Sequence, residues 1–265
     1  MKISIVTYNT FGVNILSNKF FLKCEKIAQV LRDKNIDIIN FQEVVFYKHL
    51  NFLKKHLPEH KYIIYKPSFF GPQAGLVTFS RLPLQFTEFK KFSKNGDFYN
   101  ISIIHKLAQR GLLVSTYSDD LKIINTHFSA NMSNKWDKEN NYTKVLNLQV
   151  NDLHEMLDLY NNTNFLISGD FNIPKSTSLY TTLGKNNIID VFKDIHKKTH
   201  LGDFMINTSL ELQVDYIFIK KNKQSKLDII DKSYIFDKKV KLGPTSDYLS
   251  DHFGLEVSVD LSFPS

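Results

Sequence analysis

Apolar and polar residues alternate at the start of the chain, in KISIVTYN, and the same two-residue period returns along its length. Alternation of this kind marks strands with one face buried and one face differently solvated. It predicts strands over KISIVTY, IDIINFQ, YIIYK, GLVTFS, LLVSTYS, LKIINTHF, NFLISGD, VDYIFIK and LEVSVDL. The period changes to that of a helix over roughly Lys19 to Lys34 and Thr143 to Tyr160, with a shorter helix around Phe46 to Leu57. In the second long helix Leu146, Val150, Leu153 and Leu157 form an apolar stripe, and Asn147, Asp152, Glu155 and Asp158 are expected to face away from it. Strands outnumber helices, and the helices are interspersed singly. The pattern predicts an α/β (α+β) fold of two packed sheets with helices outside them.

No repeat, low-complexity tract or linker interrupts the 265 residues, so one domain is expected over residues 1–265. A hydrophobic content of 42% suits a soluble globular protein, and no apolar run is long enough to span a bilayer. The N-terminus lacks the basic, apolar and small-residue order of a signal peptide. The single cysteine, Cys24, excludes an intramolecular disulfide and fits a reducing, cytoplasmic setting. Its helical spacing with Phe20, Ile27 and Leu31 predicts a core position. Thirty-four basic residues against 27 acidic ones give a formal charge of +7, which attracts phosphate on nucleic acid and on lipid alike.

The ends of the strands carry the chemistry. IVTYNT offers Asn9, IINFQEV offers Gln42 and Glu43, and INTHFSA offers Asn125 and His127. LISGDFNIP offers Asp170 and Asn172, VDYIFIK offers Asp215, and YLSDHFGLEV offers Asp251 and His252. Singly, each of these can cap a turn or sit satisfied in a core. Together they form a set rich in carboxylates, amides and imidazoles with no cysteine and no close histidine pair. Oxygen donors select a hard cation, Mg²⁺ or Mn²⁺, rather than zinc. A hard cation, a base and groups that hold phosphate are the requirements of phosphoester hydrolysis.

The ordered series TYNT, FQEV, NTHFSA, GDFN, VDYIF and SDHFGLEV, running from Thr7 to Val257, resembles the endonuclease/exonuclease/phosphatase superfamily. The resemblance implies a deoxyribonuclease-I-like four-layer sandwich, two mixed sheets face to face with helices on both outer surfaces. It implies Glu43 as the principal metal carboxylate, with Asn9 beside it and Asp251 as a second metal-side acid. His252 is implied as general base, oriented by Asp215. Asp170 and Asn172 are implied to position the water and bind the scissile phosphate, and His127 to serve the phosphate or leaving group. AGLVTFSRLPLQ, QRGLLVSTY and LQVDYIFIK resemble the neutral sphingomyelinase branch and add Arg110 as a substrate-binding residue. The expected substrate is therefore a phospholipid phosphodiester, with a deoxyribonuclease-like or tyrosyl-DNA phosphodiesterase-like nuclease as the alternative. A monomer with peripheral membrane contact is expected. Phe69 and Phe70, in PSFFGPQ, are expected to plug one end of the core, and Asp97 to support His127.

Overall fold

The computed structural model describes residues 1–17, 19–95, 109–201, 212–222 and 226–262. Asp97, expected to support His127, lies outside the described residues. The strands are β1 (Lys2–Asn9), β2 (Ile38–Gln42), β3 (Tyr62–Ile64), β4 (Val77–Ser80), β5 (Phe86–Lys91), β6 (Gly111–Ser118) and β7 (Leu121–His127). They continue with β8 (Asn164–Asp170), β9 (Ile188–Asp190), β10 (Asp215–Lys220), β11 (Lys226–Ile235), β12 (Val240–Leu242), β13 (Thr245–Asp247) and β14 (Gly254–Ser262). The helices are α1 (Phe20–Asp33), α2 (Tyr47–His56), α3 (Asn141–Asp158) and α4 (Ser178–Leu183).

Two six-stranded mixed sheets result, ordered β11-β14-β1-β2-β4-β3 and β5-β6-β7-β8-β10-β9, with β12 and β13 as a separate hairpin. β1 pairs in parallel with β2, and β7 with β8; the other pairs are antiparallel. Three apolar layers hold the sandwich. Phe20, Cys24, Ile27 and Leu31 of α1 and Leu50 and Leu53 of α2 cover Val6, Tyr8, Ile39 and Phe41 on the outer face of the first sheet. Leu146, Val150, Leu153 and Leu157 of α3 cover Ile124, Phe165, Ile167 and Phe218 on the second. Between the sheets lie Ile3, Ile5, Ile38, Ile123, Leu166, Ile217, Ile219 and Val257.

The helix starts follow their chemistry. Asn140 caps α3 by accepting from the backbone N–H groups of Tyr142 and Thr143, which sets the start two residues earlier than the apolar stripe suggests. Asp152 departs from expectation, since it is buried and accepts from both the backbone and hydroxyl of Ser93. A carboxylate with two donors can lie against the core where an unpaired one cannot. Phe69 and Phe70 also depart. They stand 88% and 57% exposed on the loop after β3, so they plug nothing. That loop is fixed by its backbone: Ser68 N donates to Gly71 O, and Tyr47 N to Phe70 O. β5, β9, β11, the β12–β13 hairpin and the short helix α4 were not expected, and β5 has no buried face to impose a period.

The inter-sheet face has one feature that places the site. Successive inward residues run Ile5, Thr7, Asn9 along β1 and Ile38, Asn40, Gln42 along β2. They run Ile123, Asn125, His127 along β7, Leu166, Ser168, Asp170 along β8, and, in reverse, Ile219, Ile217, Asp215 along β10. The slab between the sheets grades from aliphatic, through hydroxyl and amide, to acid and imidazole at one end. Its middle layer ties the sheets together: Asn40 Nδ2 donates to Ser168 Oγ at 2.8 Å, and Gln42 Nε2 to Asn125 Oδ1 at 2.8 Å, while the buried Gln42 Oε1 has no hydrogen-bond partner among the described residues. Gln42 and Asn125 therefore bind the two sheets together beside the site.

Candidate active site at the polar end of the sandwich

Asp170 is the centre of the cluster. Its Oδ2 accepts from Asn9 Nδ2 at 3.0 Å and lies 3.4 Å from His127 Nε2 and 3.8 Å from His252 Nε2. Its Oδ1 accepts from the backbone N–H of Asn172 at 2.9 Å. Parallel pairing of β7 with β8 puts His127 directly beside Asp170, and antiparallel pairing of β10 with β8 puts Asp215 on its other side. Three residues far apart in sequence thus meet because three strand ends are in register.

Asn172 is not in strand register with Asp170. The chain turns after β8, Asn172 takes a left-handed backbone with φ 52°, and its side chain donates to Phe128 O at 3.0 Å. The same carbonyl accepts from Arg110 Nη1, so amide and guanidinium sit together. Burial lowers the Arg110 pKa, against the opposing pull of Asp170 and Glu43, which places its charge near both acids.

Glu43 follows β2 in a left-handed conformation at φ 60°. A residue of its size is held there only by its surroundings. Gly12 and Gly75 supply them: a Cβ on Gly12 would lie 1.6 Å from Glu43 O, and one on Gly75 2.9 Å from its Cα. Asn9 Nδ2 reaches Glu43 Oε1 at 3.4 Å, whereas the buried Oε2 has no hydrogen-bond partner among the described residues. Burial and then the neighbouring Asp251 push the Glu43 pKa up to about 7.

The segment before β14 is tied to the end of β1. Ser250 Oγ donates to Asn9 O at 2.8 Å, contacts Asp251 Oδ1 at 3.0 Å, and accepts from His252 N at 3.2 Å. His252 Nδ1 lies 2.9 Å from Asp215 Oδ2. With a carboxylate as acceptor this nitrogen carries the hydrogen, which points Nε2 towards Asp170. Burial alone lowers the His252 pKa, but Asp215, Asp170 and Asp251 outweigh it and raise it well above the ordinary value.

His200 carries no motif in the sequence, and the structure brings it in. Thr199–Leu201 forms an antiparallel bridge with Asp251–Phe253 through Leu201 N to Asp251 O and Phe253 N to Thr199 O. The His200 and His252 rings lie 4.6 Å apart. Thr199 Oγ1 also accepts from the backbone of Asp215, holding the start of β10. A partner 52 positions away announces itself by no local spacing, and no signal in the chain could have found it.

The residues present suit a divalent cation. Four acids, Glu43, Asp170, Asp215 and Asp251, share this end of the sandwich, and burial raises the pKa of Glu43 and Asp170. An orphaned carboxylate oxygen on Glu43 beside an amide suits a hard, oxygen-seeking ion.

The family model described as the endonuclease/exonuclease/phosphatase family matches residues 6–252. No curated protein matches the chain. Among solved structures, D. rerio TDP2 complexed with a single-strand DNA product is 15% identical, with a TM-score of 0.73 over 98% of this chain and 99% of that one. SmcL is 18% identical, with a TM-score of 0.71 over 98% and 99% of the two chains. A Staphylococcus aureus beta toxin mutant with bound magnesium ions is 17% identical, with a TM-score of 0.71 over 97% and 99%.

Proposed function

The chain belongs to the endonuclease/exonuclease/phosphatase family, hydrolases of phosphodiester bonds that work with divalent metals, and from that premise we propose a Mg²⁺-dependent phosphodiesterase acting on phospholipid. Glu43, Asn9 and Asp251 would hold the ion, which when bound supplies Lewis-acid stabilisation of charge on the phosphate. Mn²⁺ is the alternative ion.

The chain's own residues divide the remaining work. In its neutral form His252 takes the proton of the attacking water on Nε2; Asp215 keeps the ring in the required tautomer, and the acids that raise its pKa offset the imidazolium that forms. The 3.8 Å between His252 Nε2 and Asp170 Oδ2 is too long for a direct hydrogen bond and short enough for one water to bridge. Asp170 thus aims the nucleophile. Asn172 and Arg110, joined at Phe128 O, offer an amide and a guanidinium to the non-bridging oxygens. His127, beside Asp170, protonates the leaving oxygen.

The observation that carries the lipid reading is the exposed Phe69–Phe70 pair. The rings meet edge to face at 4.8 Å. Their loop folds back on the segment after Glu43, where a Cβ on Gly71 would meet Val45 O at 2.2 Å. Rings fixed outward on the rim of a phosphodiesterase site suit an interfacial depth in a bilayer. The exposed Lys66, just before the pair in sequence, adds a charge that attracts anionic headgroups. A nuclease is the second reading, supported by the fold likeness to TDP2, which was solved with a DNA product.

The test is a matched panel at equal Mg²⁺: sphingomyelin vesicles, phosphoinositide vesicles, single-stranded DNA and double-stranded DNA. Lipid turnover should exceed DNA turnover. Phe69→Ala combined with Phe70→Ala should weaken vesicle binding while sparing hydrolysis of a soluble phosphodiester. Rapid DNA cleavage beside inert lipid would move the protein to the nuclease reading.

A further inference from the structure

We propose that the free edge of β5 pairs with the same edge of a second copy of this chain, making a two-fold dimer in place of the monomer expected from the sequence. β5 closes one side of the second sheet, and β3 closes the same side of the first. An open cleft of about 600 Å³ separates the two edges, bordered by Tyr62 and Ile64 on one side and Leu84 and Phe86 on the other. Phe86 is 59% exposed. Among the described residues no strand pairs with the outer edge of β5. An uncovered edge strand is a template for another strand, and lysine is a common guard against such pairing.

The free backbone groups fix the register. Phe92 N donates to Arg110 O, and β5 runs in unbroken antiparallel register with β6 up to that bond. Residues of an antiparallel strand bond to its two neighbours in alternation. Phe86, Glu88 and Lys90 therefore serve β6, while Thr87, Phe89 and Lys91 point their N–H and C=O groups outward. A two-fold axis through Phe89 pairs all of these groups at once: Phe89 faces Phe89 of the other copy, and Thr87 faces the partner's Lys91. In that register Glu88 faces the partner's Lys90 as a non-hydrogen-bonded pair, where side chains across two strands come closest. Symmetry makes the match twice. Tyr160 OH already holds the Glu88 carboxylate on that face at 3.4 Å. An edge bearing only Lys90 and Lys91 would repel its copy, and Glu88 turns that repulsion into complementarity. An axis through Thr87 would instead set Glu88 against Phe86, and one through Lys91 would set that lysine against itself.

The pairing leaves both catalytic clusters accessible. β6 is antiparallel to β5 and to β7, so the Lys91 end of β5 lies at the same end of the sandwich as His127. Antiparallel pairing then turns the two sites to opposite ends of the dimer. The inference stands on strand geometry and charge and does not rest on the phosphodiesterase reading.

Analytical ultracentrifugation tests this. The wild-type chain should show a monomer–dimer equilibrium below about 1 mM, the weak end of specific association. Glu88→Lys and Lys90→Glu should each sediment as monomers where wild type dimerises, because each sets like charges opposite one another. Mixed together, the two variants should dimerise with each other, since every facing pair is then opposite in charge. Circular dichroism checks their folds. Thr87→Pro is the charge-independent variant: it removes an outward N–H and none that serves β6, and it should also leave a monomer. Amide exchange at Thr87, Phe89 and Lys91 should slow as wild type associates, with Glu88 and Lys90 unchanged. A wild-type chain that stays monomeric up to about 1 mM would overturn the proposal. So would single variants that dimerise as wild type does, or charge variants that ignore each other when mixed.

Discussion

At the scale of single residues, burial and charge decide what each group at the site can do. His252 is the group whose loss should be felt most directly in chemistry. His252→Ala should lower kcat by about 100-fold or more, the usual contribution of a positioned base, with a smaller change in KM. Asp215→Asn should move kcat in the same direction, because Nδ1 would lose its carboxylate acceptor. Steady-state kinetics on the two variants check both. Asp170 behaves differently because its folded pKa is raised, by burial first. A carboxylate so placed is stabilising only when protonated, and in metal-free protein that contribution is lost as pH rises from its unfolded value through its folded one. Asp170→Asn should therefore abolish turnover while holding or raising the thermal midpoint. The neighbouring Phe171 has the opposite profile. It is fully buried against Phe128, Tyr216 and Phe218, and Phe171→Ala should cost about 3–5 kcal/mol in a denaturant melt.

His49 sets an acid limit on stability from outside the catalytic cluster. Its ring is sealed under α1 beside Cys24, and burial holds its pKa down at about 3. Only the unfolded chain takes up this proton between 6.5 and about 3, so stability is present above 6.5 and is lost as pH falls through that window. The loss is about 1.4 kcal/mol per pH unit from this group. Denaturant melts across the range should show it, and His49→Leu should flatten the slope by that amount.

At the scale of elements, the legible part of the molecule is the part with a local rule. The alternation in KISIVTYN and NFLISGD puts Asn9 and Asp170 on the inward faces of their strands, because side chains in a strand alternate without exception until the chain bends. The three expected helices, α1 to α3, lie within two residues of where their apolar spacing places them, whereas the short α4 was not expected. Reading failed where the backbone leaves regular geometry or the partner is remote. Asn172, two positions past Asp170, would share its face in a continued strand but turns left-handed, and the bridge between distant segments leaves no local mark of His200. Phe69 and Phe70 were misplaced because composition favours a buried ring, whereas here a turn closed by backbone bonds keeps two rings in solvent. The β2–α2 connection offers its own test. Gly12→Ala would drive a methyl into the carbonyl of Glu43, so metal affinity should fall by at least ten-fold by titration calorimetry, even though residue 12 carries no ligand.

At the scale of the whole molecule, the grading of the inter-sheet slab divides labour between its two ends. Ile3, Ile5, Leu121 and Ile219 hold the sheets together by excluding water. The far end gathers four acids, and the walls are tied across it by Asn9 Nδ2 to Asp170 Oδ2 at 3.0 Å and by His252 Nδ1 to Asp215 Oδ2 at 2.9 Å. Glu43, Asn9 and Asp251 hang from the first sheet and its flank, and Asp170, Asp215 and His127 from the second. A divalent ion at that end would act as a keystone does in an arch, turning the mutual thrust of two walls into compression. Magnesium should then raise the calorimetric midpoint as its concentration passes the dissociation constant, by about 2.7 kcal/mol of added stability at a hundred-fold excess. Amide exchange should slow at the ends of β1, β2, β8 and β10 together, across both walls at once. Without its keystone the arch stands on its apolar footing and on those polar ties, and the crown is where substrate must enter.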